Sequence, residues 1–392
     1  MNRSPLVVLA AASLVAGGAL ASSPAVAGGT GQTGQPRTIA EGLLTPLKLA
    51  VTDHGKAYVS QNFAGELTKI SRNGTKTTFA SAPGEEVGGV EEHDGTVWWT
   101  TTGEGSAKLF SQSPGGEPQQ LADLYEHEST ENPDAGTTYG FRDLPQSCAD
   151  QFSADNPASY TGIVDSHPYA TLVTDQRHKT YIADAAANAI LKVGRHGRVT
   201  TTALLPAVPT VATAEALKAQ GLPECAAGHK YWFEFVPTDV EEGADGWLYV
   251  TSLPGGPEDD SLGARGAVYK VDPRSGHVKK VAGGFVGAVD LALLPDGTIA
   301  VAELFGGDEG QGQVTLVKGR SSHRRVLDLK SPAAVEWNDS ASMRNGHGSH
   351  RHAQKGGLYV TTDVFTNGEP APVAKLQVVS VGTKRHHHHH HH

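Results

Sequence analysis

The sequence predicts an all-β fold of six similar units, and three observations support this prediction. First, an apolar run that often starts near a proline is followed by a tight turn and a second apolar run. Second, four strand-like runs occur in each unit. Third, the units repeat every roughly 40 to 50 residues, which is typical of propeller blades. We therefore predict a six-bladed β-propeller of four-stranded antiparallel blades. The six copies of the turn motif occupy 46–59, 86–99, 168–182, 237–250, 288–301 and 332–360.

The fourth unit shows why each run is predicted to be a strand. Its first run, 237–242, ends before the pair Asp245-Gly246, and glycine in such a pair supplies the positive φ of a tight hairpin. Aromatic and β-branched residues, which favour strands, fill 247–250 and 267–271. A further glycine turn then separates 267–271 from a last run at 278–281.

The segment 38–40 precedes the first unit and has no partner within it. We expect it to pair with the last unit, 332–381, because this closes the ring and removes an open sheet edge. An open array of sheets is the alternative, and the regular spacing favours the ring.

Two stretches, 123–166 and 206–235, interrupt the repeat, and each contains one of the two cysteines. Exported proteins meet an oxidising compartment, so we predict a disulfide between Cys148 and Cys225. No CxxC spacing points to zinc. Both insertions link successive blades, which places them on one face of the ring. The segment 213–220 within the second insertion has a helical pattern that ends at a glycine.

The ends of the chain lie outside the predicted propeller, 38–384. Residues 1–27 have an early arginine, an apolar run and the ending Ala25-Val26-Ala27, which predict a cleaved signal peptide. Residues 28–37 are a flexible Gly/Thr/Gln linker. The tail 385–392 carries seven histidines and is predicted to be an expression tag, with a native metal-binding tail as the alternative.

The charge balance limits the partners of the protein. Asp and Glu number 42 against 32 Lys and Arg, which argues against nucleic acid or an anionic membrane surface. No apolar run after the signal segment is long enough to span a bilayer. We expect a secreted, extracellular monomer whose partner is a small molecule, a glycan or an extracellular protein.

Alignment of the units on their turns places several carboxylates near the mouth of the central channel. Repelling carboxylates are costly unless a cation, a proton or a ligand compensates them. One interpretation is a Ca²⁺ site or another divalent cation site; the alternative is that each carboxylate accepts hydrogen bonds from backbone N–H groups. The proposed metal ligands are Asp184, Asp239, Asp290 and Glu303, and Asp363 lies just beyond the same position in the last unit.

Histidines mark two further candidate sites. His167 precedes the first strand of the third unit, where it is a candidate base or ligand, with an ordinary surface histidine as the alternative. His347, His350 and His352 lie close together in the long turn of the last unit. Three such side chains bind transition metals, and the alternative is a solvated loop.

Seven segments share the motifs of one protein family: 131–134, 165–169, 184–193, 236–240, 245–250, 263–271 and 289–292. They resemble the ScyD/ScyE family, and the resemblance covers about residues 38–381. This resemblance implies an exported, NHL-type six-bladed propeller of an actinobacterial kind, and it implies the fold more strongly than any activity. The chain departs from the family pattern at 254–260 and in the longer insertion before Pro168, both on the expected ligand face.

No complete catalytic motif is present: the chain lacks a nucleophile elbow, a Walker loop, HExxH and a dinucleotide fingerprint. This favours a binding protein that acts through the face capped by the insertions. The alternative is a metal-dependent enzyme, either a lactonase-like hydrolase or an oxidative small-molecule enzyme, at the channel mouth. A structural protein of the cell envelope is a third class, and it would show a large apolar patch on the opposite face.

Overall fold

Antiparallel sheets of four strands dominate the computed structural model, which describes residues 35–174, 179–318, 324–343, 354–366 and 369–381. Seven such sheets and one two-stranded hairpin are found in these ranges. The all-β prediction is confirmed, and the number of sheets is one larger than the six predicted units.

The strands follow one another in chain order. The first part of the chain contains β1 (Arg37–Leu43), β2 (Pro46–Val51), β3 (Ala57–Gln61), β4 (Glu66–Ile70), β5 (Lys76–Ser81), β6 (Glu86–His93), β7 (Thr96–Gly103), β8 (Ser106–Gln112), β9 (Gln119–Asp123) and helix α1 (Leu124–Glu131). The middle part contains β10 (Thr138–Phe141), α2 (Gln146–Ala149), β11 (Ser159–Thr161), β12 (Pro168–Val173), β13 (Thr180–Asp184), β14 (Ala189–Val193), β15 (Val199–Leu204), β16 (Val208–Val211), α3 (Ala214–Ala219) and β17 (Lys230–Phe233). The last part contains β18 (Pro237–Glu242), β19 (Leu248–Ser252), β20 (Gly266–Val271), β21 (Val278–Phe285), β22 (Ala288–Leu293), β23 (Thr298–Glu303), β24 (Gln313–Lys318), β25 (Arg324–Leu327), β26 (Val335–Met343), β27 (Gln354–Thr362), β28 (Phe365–Thr366), β29 (Glu369–Pro370) and β30 (Ala374–Val379).

Five sheets consist of four strands that are consecutive in the chain, beginning at β2, β6, β12, β18 and β22. The predicted turn forms the hairpin between β18 and β19: Gly246 has φ 72°, and the Gly243 N–H donates to the Trp247 carbonyl. Only glycine adopts this φ without steric cost. Leu248 and Val250 then point into the core on one face of β19.

The first strands of six sheets lie beside one another in a closed order, β2, β6, β12, β18, β22, β26 and again β2. Threonine hydroxyls donate across three of these boundaries to the first residue of the next sheet. The Thr100 hydroxyl donates to the Pro168 carbonyl at 2.6 Å, and the Thr361 hydroxyl donates to the Pro46 carbonyl at 2.8 Å. The second of these bonds joins the last sheet to the first.

The predicted closure by the N-terminal segment is confirmed. β1 pairs antiparallel with β30, from Arg37 opposite Val378 to Leu43 opposite Ala374. The sixth sheet therefore has the order β1-β30-β27-β26 and joins both ends of the described chain. Its outer edge strand comes from the opposite end of the sequence.

The seventh sheet, with the order β11-β10-β17-β16, is formed by the two insertions together. Its strands are only three or four residues long, and Gly140 pairs with Trp232 far along the chain. Local sequence patterns did not predict it, since such short strands without glycine turns are defined by long-range pairing. The predicted disulfide is confirmed: Cys148 and Cys225 are bonded, with Cα atoms 5.8 Å apart.

The seventh sheet and the segment after it lie against loops that connect second and third strands. The Arg265 guanidinium in one such loop lies 4.6 Å from the ring centroid of Phe233 on β17. The Gly255 N–H donates to the Glu234 carbonyl at 3.1 Å, and the Val236 N–H donates to Asn188 Oδ1 at 3.0 Å. The predicted helix of the second insertion is present as α3, where the Thr213 side chain caps the first turn by accepting from the Ala216 N–H.

Several predictions concern residues outside the described ranges. These are the signal segment 1–27, residues 28–34 of the linker, the histidines of 347–352 and the tail 385–392. Within the described ranges, no helix is long and apolar enough to cross a membrane.

Candidate functional site

A buried lysine joins two of the predicted carboxylates. Lys48 Nζ on β2 lies 3.1 Å from Asp239 Oδ1 on β18 and 2.9 Å from Asp290 Oδ2 on β22. It also donates to the Val289 carbonyl at 3.2 Å. All three side chains are buried. Lys48, Asp239 and Asp290 occupy equivalent positions on the first strands of their sheets. An ammonium group therefore lies between two of the carboxylates that were predicted to bind a divalent cation.

The charges in this group are mutually dependent. Burial lowers the pKa of Lys48, but the charges of Asp239 and Asp290 outweigh it, so the pKa is raised overall. Burial, followed by the charge of Asp239, raises the pKa of Asp290 well above its usual range, and Lys48 only partly offsets this. Asp239 Oδ2 also accepts the Leu291 N–H at 3.0 Å, so a main-chain donor supplements the single ammonium.

The other two proposed calcium ligands are hydrogen-bonded by the protein itself. Asp184 accepts from the Ser166 hydroxyl at 2.6 Å, the His167 N–H at 2.7 Å and the Ala187 N–H at 3.2 Å. Glu303 accepts from the Val286 N–H at 2.7 Å. Donors in hydrogen-bonding geometry already occupy these oxygens, which matches the alternative of carboxylates that bind backbone N–H groups.

The four carboxylates Asp184, Asp239, Asp290 and Glu303 therefore do not fit one shared cation. Among the described residues, no group of three or more His, Cys, Asp or Glu side chains is arranged to hold a metal ion. Asp363, the fifth aligned carboxylate, pairs with Lys375 at 3.1 Å on the sixth sheet.

A second layer of acids, which the sequence did not reveal, lies two or three residues further along the first strands. Glu91, Glu241 and Glu336 come from β6, β18 and β26, which alternate around the ring. Burial raises the pKa of each well above its usual range, and each is further raised by the charge of another member. Glu241 lies four residues before Asp245 of its turn and Glu91 only three residues before Asp94, so alignment on the turns does not bring these acids to one position.

An open cleft of about 530 Å³ lies on the face that carries the insertions. Phe63 and Ala64 follow β3, Gly84 to Glu86 join the first two sheets, and Thr102 to Glu104 end β7. The remaining wall is Asp165, Ser166 and His167, at the end of the first insertion. Four carboxylates line this cleft, those of Glu85, Glu86, Glu104 and Asp165.

His167 is the predicted residue that faces this cleft. Its Nε2 lies 3.2 Å from Glu86 Oε2, and its main-chain N–H donates to Asp184. Burial lowers the pKa of the ring, but the hydrogen bond and charge of Glu86, with the charges of Asp184 and Asp165, raise it overall. Asp184 thus positions the backbone of His167, and Glu86 favours its protonated form.

A single side chain links the cleft to the buried lysine. The rings of His167 and Tyr169 lie edge to face, with centroids 6.0 Å apart, and Lys48 Nζ lies 5.1 Å from the Tyr169 ring centroid. The structure therefore brings His167 together with Asp184 and brings Asp239 together with Asp290. Glu303 and Asp363 bond to other partners.

No family model matches the chain, and no curated protein matches it. Among solved structures, a streptogramin B lyase is 12% identical over 89% of this chain and 97% of that chain, with a TM-score of 0.48. A putative glucose dehydrogenase from Thermus thermophilus is 13% identical over 88% and 99%, with a TM-score of 0.49. A nidogen/laminin complex is 13% identical over 78% and 85%, with a TM-score of 0.45. Similarity at this level leaves the function to be argued from the site itself.

Proposed function

We propose that the chain is a secreted six-bladed β-propeller of the ScyD/ScyE type, and that its seventh sheet is a cap on the ligand face. Six sheets carry the repeated turn motif, and their first strands follow one another in a closed order. The seventh sheet comes from the insertions alone and packs on loops between second and third strands. This arrangement supports a protein that acts through loops on one face.

We propose that the cleft binds a small molecule that carries an amine and hydroxyl groups. The observation that supports this most strongly is its lining: four carboxylates and, among the described residues, no lysine or arginine. Carboxylates that converge on one cleft attract cations. Phe63 is 37% exposed there and offers a ring face for an ammonium group or an apolar edge.

Calorimetric titration of the full chain with glucosamine and, separately, with glucuronate tests this proposal. Both probes carry hydroxyl groups, but their charges are opposite. We expect binding of glucosamine only, weakened about two- to five-fold by Glu104→Gln, because one exposed attractive pair is lost. Glu117→Gln removes an equal charge at an exposed position outside the cleft and is the control. Equal binding of the two probes, or equal weakening by both variants, contradicts the proposal.

A glycan with amino sugars would present the same chemistry on a longer chain, and an extracellular protein would present lysines. Either would bind more tightly than the monosaccharide, so the same titration repeated with an amino-sugar oligosaccharide and with a lysine-rich protein distinguishes them. The protein is proposed to act as a monomer, and light scattering after size-exclusion chromatography at working concentration tests this. A mass of two chains contradicts it.

An enzymatic function is favoured by one observation, the His167–Glu86 pair at the wall of the cleft. A histidine held near a carboxylate can transfer a proton at a bound ligand. The hydrogen-bond donors around Asp184, Asp239, Asp290 and Glu303 give no support to a metal at the channel mouth. The enzymatic alternative is therefore a proton transfer by His167. Recovery of the bound ligand unchanged after incubation favours binding alone.

A further inference from the structure

Helix α1 carries a buried carboxylate that receives no hydrogen bond. Glu128 is 0% exposed, and no described group donates to either of its side-chain oxygens in hydrogen-bonding geometry. The main-chain N–H of Asp165 lies near this carboxylate but outside that geometry. Buried polar groups are nearly always paired, so an unpaired carboxylate indicates a missing partner.

Two more oxygens without partners lie just beyond the end of the same helix. Asn132 Oδ1 and Asp134 Oδ1 are both buried and accept no hydrogen bond from the described chain. The other polar atoms of these side chains are paired: Asn132 Nδ2 donates to the Gly162 carbonyl at 3.3 Å, and Asp134 Oδ2 accepts from the Tyr139 hydroxyl at 2.9 Å. Both side chains are therefore held in place, while one oxygen of each accepts no hydrogen bond.

The three side chains face one segment, 162–165. Asn132 bonds to Gly162, Glu128 lies near the Asp165 N–H, and Asp134 Oδ1 is so close to Gly162 that a Cβ atom there would lie 1.8 Å from it. Glycine is therefore required at position 162 for this approach. The two carboxylates also feel each other's charge, and no lysine or arginine of the described chain pairs with either.

We propose that Glu128, Asn132 and Asp134 bind one Ca²⁺ ion, a hard cation that prefers oxygen ligands. Both Glu128 oxygens, Asn132 Oδ1 and Asp134 Oδ1 provide four of the about six to eight oxygens that Ca²⁺ takes. Main-chain carbonyls and water supply the others. This set combines two carboxylates with one amide oxygen, and it differs from the set Asp184, Asp239, Asp290 and Glu303 considered above.

The bound ion fixes the segment that leads into the cleft. Residues 162–165 are followed directly by Ser166 and His167, which line the cleft wall together with Asp165. Calcium at Glu128 thereby holds this wall against helix α1. The calcium site does not depend on the identity of the cleft ligand.

Calcium titration of the full chain tests the proposal. The protein is treated with EDTA, desalted, and followed by thermal unfolding and calorimetry as CaCl₂ is added. We expect a saturable rise in Tm of several degrees with one ion bound per chain, because a ligand that binds only the folded state stabilises it. Mg²⁺ is expected to act more weakly, since it demands a smaller and more regular set of ligands.

Glu128→Gln is expected to fold and to lose the calcium response. In EDTA its Tm should equal or exceed that of the parent, because a buried carboxyl group without a hydrogen-bond donor has been replaced. Asn132→Gly keeps the left-handed backbone of this position, φ 36°, removes the amide oxygen and should also weaken the response. Glu131→Gln changes an exposed carboxylate on the same helix and is the matched control.

Two results would overturn the proposal. One is no change in Tm for the parent chain at millimolar CaCl₂. The other is a full calcium response in both Glu128→Gln and Asn132→Gly, which would place the ion elsewhere.

Discussion

Lys48 forms a buried ion group that alignment of the repeats could not predict. The alignment placed Asp239 and Asp290 at one height on their first strands, and the structure shows Lys48 at the equivalent position of β2. We predicted a metal cation between the carboxylates because the sequence alone does not show that the Lys48 side chain extends to both of them. The structure shows the ammonium between the two carboxylates.

Lys48→Met tests the contribution of this ion group to stability. It leaves two carboxylates buried without their cation, and breaking a buried pair in this way destabilises by about 3–5 kcal/mol. Guanidinium unfolding measures the loss. Combining Lys48→Met with Asp239→Asn and Asp290→Asn should recover part of it, since no buried charge remains.

The control for Lys48 is Lys270→Met, which removes a lysine paired with Asp245 at the surface. Such an exposed pair contributes under about 1 kcal/mol. If the two lysine variants were equally stable, the buried group would have no special structural role.

The pH dependence of stability tests the interaction between His167 and Glu86. The folded-state pKa of His167 is raised overall, although burial alone would lower it. Its protonated form therefore adds stability below the unfolded pKa of about 6.5, and this contribution disappears as pH rises through the folded pKa. His167→Gln should be most destabilising near pH 6 and least at alkaline pH. A difference from the parent that grew with pH in unfolding curves would contradict this assignment.

At the element scale, the closing strand was predictable and the capping sheet was not. An isolated run at 38–40 without a local partner indicates that its partner is far away, and closure of a ring leaves one such edge to fill. The strands of the seventh sheet are short, and β10 and β17 come from different insertions, so local periodicity carries almost no information about their pairing. Only the two cysteines indicated that the insertions meet.

Removal of residues 1–43 tests the closing strand. The truncation exposes the edge of β30, whose N–H and C=O groups pair with β1 in the full chain. We expect a lower Tm and aggregation that increases with protein concentration, measured by light scattering. Removal of residues 1–34 leaves β1 intact and should preserve the Tm of the parent. Equal Tm values for both truncations would contradict the role of β1.

At the scale of the whole molecule, the repeat predicted the four-stranded antiparallel sheets and the pairing of the N-terminal segment with the last unit, but not the sheet that the insertions form. It predicted that His167 and Asp184 lie at the channel mouth, and the structure shows the His167 N–H donating to Asp184. It did not reveal the acidic cleft, whose walls come from 63–64, 84–86, 102–104 and 165–167. These short segments have no shared pattern, and only the ring brings them together.

The most direct measurement is a crystal structure of the full chain without its polyhistidine tail, grown with glucosamine. We expect density for the sugar in the cleft, with its amine beside Glu86, Glu104 or Asp165 and its ring against Phe63. Density for the amine only within the central channel, beside Glu241, or only outside the cleft would contradict the proposed function.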